Sequence, residues 1–231
     1  MVRRDGRAAG RRVIVQIYEV TSAAEAVALA QLGVDHVGVL VGDGGFPREL
    51  APAAARAVFA ALPRGVRRVA LSLSADEAAI ARAAEASGLD LLHLGAATEL
   101  LGPDAVRALK ARFPHLPIMR SIPVVGPDSV AVAQAYEGIA DLLLLDSHVP
   151  GDRQIGAVGR THDWTISRRI VASVALPAIL AGGLGPDNVA DAIRAVRPFG
   201  VDSKTRTDRA DGAGKDLAQV GAFVAAARAA T

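Results

Sequence analysis

The chain has 231 residues, of which 51% are hydrophobic and only 3% aromatic, so its core must be largely aliphatic. This length suits one large α/β domain, and the scarcity of aromatic rings argues against the stacking platforms that usually bind single-stranded nucleic acids. The formal net charge is only +2, and the absence of cysteine excludes disulfides, thiolate metal sites and cysteine nucleophiles.

The chain begins with a basic segment, MVRRDGRAAGRR. We expect residues 1–12 to form a disordered tail and residues 13–231 to form one domain. The tail lacks the hydrophobic stretch of a signal peptide, and no apolar run is long enough to cross a membrane. A cytoplasmic protein with no membrane or nucleic-acid partner is therefore expected.

After the tail, short aliphatic runs alternate with alanine-rich amphipathic segments. The runs predict parallel strands buried on both faces, at residues 13–20, 36–41, 68–73, 89–94, 118–123, 142–146, 178–181 and 200–204. The segments predict helices near residues 23–32, 52–62, 75–86, 103–113, 128–137, 165–173, 186–196 and 217–229. The chain therefore consists of eight predicted strand–helix units.

The loops that lead from helices to strands are short, whereas those that lead from strands to helices are longer and more polar. This asymmetry predicts an α/β fold, a single (β/α)8 TIM barrel with its active site at the C-terminal ends of the strands. An open doubly wound sheet is the alternative, but the glycine fingerprint usual after its first strand is missing here. The longest of the strand–helix loops, residues 147–163, has the length of a lid or binding loop.

Two late loops predict an anion site. Gly182 and Gly183 follow the seventh strand, and Lys204, Thr205 and Arg206 end the eighth. Glycines let a backbone approach a ligand closely, and the loops after strands seven and eight of such barrels frequently bind phosphate. The alternative for the glycine pair is a tight turn. Together the two loops favour a phosphorylated small molecule as the partner, and the family resemblance described below implies that it is of the sugar type.

Three further side chains are candidates for chemistry or binding. Asp146 ends an otherwise aliphatic strand, where burial raises a carboxyl pKa towards that of a general acid, unless it caps the next turn. Arg48 either donates two parallel hydrogen bonds to a substrate carboxylate or is a solvated surface residue. His93, near a strand end, faces either the pocket or the core. No histidine and carboxylate spacing predicts a metal site, so no metal is expected.

These features together resemble the phosphoribosylanthranilate isomerase family of tryptophan biosynthesis, over nearly the whole chain after the tail. The resemblance lies in LAGGLGPDNVADAIRAVRPFGVD with the GKD that follows, and in LLLLDS, GAVGRTHDW and FPREL. It implies a cofactor-free (β/α)8 barrel, a monomer or homodimer, that isomerises an aminoaldose phosphate to an aminoketose. In this Amadori rearrangement a general acid opens the ribose ring and a general base removes the C2 proton.

The resemblance also implies roles for individual residues. Asp146 would be the acid, Arg48 would hold the anthranilate carboxylate, and three glycines would help to bind phosphate: Gly159, Gly182 and Gly183. The family's base is the cysteine of a Lys-x-Cys-Gly sequence, and Tyr18 stands in its place here, followed by Glu19. Both are candidates for the base, although a phenol with a pKa of about 10 is a poor base at neutral pH.

The end of the eighth strand departs from the family in the same way, because its Ser-Ser-Gly turn has become Lys204-Thr205-Arg206. The cations either keep an anion site or let Arg206 pair with a nearby acid and close it. Three hypotheses remain. The chain is an isomerase of this type, or a diverged paralogue that acts on another phosphosugar as a lyase, aldolase or different isomerase, or a non-catalytic phosphate-binding barrel.

Overall fold

The computed structural model describes residues 12–156 and 158–230. The tail predicted at residues 1–12 therefore lies outside the described residues, except for Arg12. Within the described part, eight parallel strands close into a barrel in chain order, which confirms the predicted (β/α)8 fold. No helix in this part is long and apolar enough to cross a membrane.

Strands and helices alternate from residue 14 to residue 229. The strands are β1 Ile14–Ile17, β2 His36–Leu40, β3 Arg67–Ser72, β4 Leu91–Leu94, β5 Ile118–Pro123, β6 Leu142–Asp146, β7 Ala178–Leu180 and β8 Gly200–Ser203. The helices are α1 Ala23–Gln31, α2 Pro52–Ala60, α3 Glu77–Ser87, α4 Pro103–Arg112, α5 Ser129–Gln134, α6 Trp164–Ser173, α7 Val189–Val196 and α8 Leu217–Ala229. A short 3-10 helix, Thr205–Thr207, follows β8.

Two apolar layers hold the barrel together. Side chains that alternate along the strands fill its interior, among them Val69, Leu91, Met119, Leu144 and Ile179. The intervening strand residues pack outward against the helices in one continuous aliphatic core. Because successive side chains of a strand point to opposite faces, the final inward residue of each strand is presented at the mouth of the barrel.

The first strand is shorter than predicted, since β1 ends at Ile17 and not at Val20. Tyr18 still donates its N–H to the carbonyl of Ser203 at the end of β8. Glu19 then adopts φ = 60°, a left-handed conformation that a strand cannot contain. This turn redirects the chain towards the mouth of the barrel, so that the side chains of Tyr18 and Glu19 reach different surroundings.

Candidate active site

A small cavity lies at the C-terminal ends of the late strands, where the sequence predicted the site. Its volume is about 30 Å³, room for roughly one water molecule. It is lined by Asp146, Gly159, Gly182, Gly183, Leu184, Asp202, Ser203, Lys204, Thr205 and Arg206. The fold thus brings the predicted acid, the predicted phosphate glycines and the three residues that follow β8 to one place.

Asp146 is the last residue of β6 and points inward. Its Oδ1 accepts hydrogen bonds from the Ser147 N–H at 2.8 Å and from the Ser147 hydroxyl at 3.3 Å. Burial nevertheless raises the pKa of Asp146 to about 7, against the opposing effect of these two donors. The backbone of Gly156 crosses the carboxyl so closely that a Cβ there would lie 2.3 Å from Oδ2. A carboxyl that is half protonated at neutral pH is suited to proton transfer.

Asp202, in β8, is a second carboxyl of the cavity, and the sequence reasoning missed it. It is 6% exposed, and its Oδ1 accepts a 3.2 Å hydrogen bond from the Gln16 amide. The other end of that amide contacts His36, whose Nδ1 lies 3.1 Å from Gln16 Oε1. Burial, and then the charge of Asp146, raise the pKa of Asp202 well above its ordinary value. The only sequence signal was a carboxylate inside the aliphatic run GVDS.

Tyr18 lies across the barrel interior and is 4% exposed. Its hydroxyl lies 2.5 Å from Nδ1 of His93, and Nε2 of His93 lies 2.7 Å from the hydroxyl of Ser121. The ring fits because β2 has a glycine beside it, since a Cβ on Gly38 would lie 2.1 Å from Tyr18 Cδ1. Tyr18 is not among the residues that line the cavity.

The protonation states of Tyr18 and His93 are consistent with the hydrogen bonds between Tyr18, His93 and Ser121. Burial, and then the charge of Asp202, raise the pKa of Tyr18 well above its ordinary value, so the phenol keeps its proton. Burial and the charge of Arg120 lower the pKa of His93 to about 3, so the imidazole is neutral. A neutral ring accepts at one nitrogen and donates at the other. Both nitrogens of His93 are therefore engaged with protein groups.

Five charged side chains form what we call the mouth cluster, beside β1, β2 and β8: Glu19, Arg48, Lys204, Asp208 and Lys215. Lys204 Nζ lies 3.2 Å from carboxylate oxygens of both Glu19 and Asp208. Arg48 contacts Asp208 at 3.1 Å and also donates to the Glu19 carbonyl. Lys215 has no exposed side-chain surface and lies 2.6 Å from Asp208. Arg48 is thus held by protein carboxylates, and three cations face two anions.

The glycine turn that follows β7, residues 182–185, is closely covered by neighbouring groups. A Cβ on Gly183 would lie 2.7 Å from the backbone of Arg160, and one on Gly185 would lie 2.7 Å from Nε of Arg206. Arg206 makes two 2.8 Å hydrogen bonds to the carboxylate of Asp187, near the start of α7. This is the pairing with a nearby acid that the sequence left open. Thr205 packs beside Gly159.

A larger open groove of about 530 Å³ lies outside the barrel, against α6 and the end of α7. Its walls include His162, Trp164 and Arg168, and neither the Asp146 carboxyl nor the glycine turn contributes to it. Despite its smaller volume, the barrel-mouth cavity is therefore the better candidate for the active site, because the carboxyls, the glycines and the cations meet there.

A search among protein families gives one match that spans most of the chain. Residues 15–226 match the model of N-(5'-phosphoribosyl)anthranilate isomerase. The chain belongs to this family. The resemblance that the strand-end motifs indicated is thereby confirmed.

Individual members of the family are similar over nearly their whole length. The chain is 34% identical over 210 residues to the N-(5'-phosphoribosyl)anthranilate isomerase of Methanocella arvoryzae, covering 91% of this chain and 95% of that protein. The solved phosphoribosylanthranilate isomerase of Thermus thermophilus is 26% identical, with a TM-score of 0.75 and coverage of 93% and 98%. As the sequence predicted, this family member is an enzyme of the isomerase class.

One solved phosphoribosylanthranilate isomerase is bound to reduced 1-(o-carboxyphenylamino)-1-deoxyribulose 5-phosphate. It is 25% identical to this chain, with a TM-score of 0.74, and the match covers 94% of this chain and 99% of that one. That ligand carries an aromatic carboxylate, an open-chain sugar and a phosphate.

Proposed function

We propose that this family member isomerises N-(5'-phosphoribosyl)anthranilate to the corresponding aminoketose phosphate, with Asp146 as the proton donor. The observation that carries the proposal is the position of Asp146. Its carboxyl, with a pKa raised to about 7 by burial, shares one cavity with a glycine turn and the cation Lys204. A proton donor and an anion site at the C-terminal end of a (β/α)8 barrel suit acid-catalysed opening of a phosphorylated sugar ring.

In the proposed first step, Asp146 protonates the ribose ring oxygen. The bond from that oxygen to C1 breaks and its electron pair stays on the oxygen, while the lone pair of the anthranilate nitrogen forms a double bond to C1. The product is an open-chain iminium ion with a free hydroxyl where the ring was closed. A base must then remove the C2 proton to form the enolamine, which becomes the ketone.

We propose that the phosphate binds at the turn formed by Gly159, Gly182 and Gly183, with Lys204 and Thr205 beside it. The cavity is narrow, with a volume of about 30 Å³, and we propose that a neighbouring side chain moves when the phosphate binds. Arg206 is the side chain best suited to do so, because its partner Asp187 is well exposed and such a pair is weak. Released from Asp187, Arg206 would bind the phosphate as well.

Arg48 is the proposed partner of the anthranilate carboxylate. It now contacts Asp208 and Glu19, so the substrate carboxylate would share or replace one of these contacts. His93 does not line the cavity, and because both of its nitrogens are engaged we propose that it acts by holding Tyr18 in place.

A diverged reaction on another phosphosugar is the second candidate, and Tyr18 favours it. At the position where the family has its base, this chain has a phenol that is bonded to His93 and absent from the cavity lining. A barrel with Asp146 and an anion site but a different second catalytic group could serve a lyase, an aldolase or another isomerase. A barrel that binds phosphate without catalysis is the third.

Turnover of N-(5'-phosphoribosyl)anthranilate by the purified protein tests the first candidate. We expect formation of the aminoketose phosphate, and we expect its rate to fall by about 10²–10⁴-fold in Asp146→Asn. Absence of turnover, combined with thermal stabilisation by a different sugar phosphate, would favour the second candidate. Stabilisation by inorganic phosphate alone would favour the third.

A further inference from the structure

Asp202 has no part in the ring opening, yet it lines the same cavity as Asp146, Gly182 and Lys204. Its Oδ1 is held by the Gln16 amide at 3.2 Å. Among the described residues, none donates a hydrogen bond to its Oδ2. A buried carboxyl normally has its oxygens satisfied, and an oxygen left free beside a cavity is available to a ligand.

Asp202 and Asp146 also act on each other electrostatically. Two carboxyls buried close together cannot readily both ionise, so one proton tends to remain on the pair. The charge of Asp146 contributes, after burial, to the raised pKa of Asp202. When the proton of the pair has been given to a substrate, both groups are ionised, and Asp202 is then a stronger base than an ordinary carboxylate.

The two candidates at the end of β1 are less suited to accept a proton. The Tyr18 hydroxyl is bonded to His93 Nδ1, and it would have to ionise in the apolar interior before it could act as a base. Glu19 Oε2 lies 3.2 Å from Lys204 Nζ and 3.8 Å from Arg48 Nε, so this oxygen is already engaged in ion pairs. Neither residue lines the cavity that contains Asp146.

We propose that Asp202 is the catalytic base of this enzyme and takes the proton from C2 of the open-chain iminium ion. The proposal rests on the isomerisation proposed for Asp146. In this step the C2–H bond breaks and its proton forms an O–H bond with Asp202. The electron pair of that bond forms the C1–C2 double bond, and the pair of the C=N bond returns to nitrogen, which gives a neutral enolamine. Loss of the enol proton and protonation of C1 then give the ketone.

The test compares Asp202→Asn with the wild-type enzyme, using N-(5'-phosphoribosyl)anthranilate carrying hydrogen or deuterium at ribose C2. Asparagine can still accept the Gln16 hydrogen bond, so the variant should fold, and its melting temperature is measured first. Asp90→Asn, at the N-terminal end of β4, is the matched control for loss of a carboxyl. Asp202→Glu is a second variant that restores a carboxylate.

We expect Asp202→Asn to lose at least about 10²-fold in kcat and to show a larger deuterium isotope effect than the wild type, because C2 deprotonation becomes fully rate-limiting. Asp202→Glu should recover part of the rate. Asp146→Asn should instead show a smaller isotope effect, since ring opening becomes slow.

The proposal is overturned if Asp202→Asn turns over at the wild-type rate, or if it is slow without a larger isotope effect. It is equally overturned if Tyr18→Phe or Glu19→Gln produces the larger isotope effect in its place. An inactive wild-type enzyme would reject the isomerisation itself and the role of Asp202 with it, whereas an active wild type with an unaffected Asp202→Asn rejects the role of Asp202 alone.

Discussion

The hydroxyl of Tyr18 lies 2.5 Å from Nδ1 of His93, across the interior of the barrel from β1 to β4. The phenol therefore completes a buried hydrogen-bond chain that continues from His93 Nε2 to Ser121. Tyr18 thereby links the end of β1 to β4 and β5 across the barrel. This relationship gives the tyrosine that follows the first strand a structural role.

Tyr18→Phe separates the structural role from a catalytic one. The substitution keeps the ring and leaves His93 Nδ1 buried without a donor, so the free energy of unfolding should fall by about 1–3 kcal/mol. Urea denaturation followed by circular dichroism measures this. The same variant should lose less than about tenfold in kcat, whereas a loss of about 10²–10⁴-fold would identify Tyr18 as the base.

Asp146→Asn should change how stability depends on pH. Because burial raises the pKa of Asp146 to about 7, this carboxyl contributes stability that is fully present below its unfolded pKa and is lost as pH rises through 7. The variant lacks this loss, so its melting temperature should rise relative to that of the wild type between about pH 4 and pH 7, and the difference should level off above pH 7.

Asp90→Asn is a control for which the expected change of stability with pH has the opposite sign. A hydrogen bond from Arg68 lowers the pKa of Asp90, so its contribution is present above the unfolded pKa and is lost as pH falls. This variant should be destabilised more at pH 7 than at pH 3. A difference between Asp146→Asn and wild type that stays constant with pH would contradict the raised pKa of Asp146.

Substitutions of Arg206 and of its partner Asp187 should change the affinity for phosphate in opposite directions. Asp187→Asn frees Arg206 to turn towards the glycine turn, so inorganic phosphate should bind about two- to fivefold more tightly, as suits an exposed ion pair. Arg206→Gln removes the cation and should weaken binding by a similar factor. Isothermal titration calorimetry measures both, and shifts in the same direction would contradict this arrangement.

Lys215 should be the most important member of the mouth cluster for stability. Its side chain is fully buried against Asp208, and removing one partner of a buried pair typically costs about 3–5 kcal/mol. Lys215→Met should therefore unfold at clearly lower urea concentration, and adding Asp208→Asn should recover part of the loss. Lys204→Met, whose side chain is 28% exposed, is the control and should cost much less.

The fold was predictable from the sequence because each aliphatic run predicts a buried strand and each amphipathic segment predicts a helix, independently of the rest of the chain. The predicted acid and the glycine turn could be recognised for a related reason, since both directly follow a strand, and strand ends converge in a barrel. The short β1 was less predictable. Only the backbone shows that Glu19 turns at φ = 60° and so reaches Lys204.

Contacts between distant residues were beyond the reach of the sequence. Tyr18 and His93 are 75 residues apart, and nothing local to either predicts that their side chains meet inside the barrel. Nothing local to Asp202 indicates that its carboxyl shares a cavity with that of Asp146, 56 residues earlier in the chain. The contact between Arg48 and Asp208 joins residues that are 160 positions apart. It too depends on the fold and could not be predicted from the residues around Arg48.

The most direct measurement is the turnover of N-(5'-phosphoribosyl)anthranilate by wild type and Asp146→Asn, with the aminoketose phosphate product quantified by NMR. We expect the wild type to form this product and the folded variant to form it at least about 10²-fold more slowly. A wild type with no turnover above buffer, or an Asp146→Asn variant as fast as the wild type, would contradict the assignment of Asp146 as the acid of an isomerase.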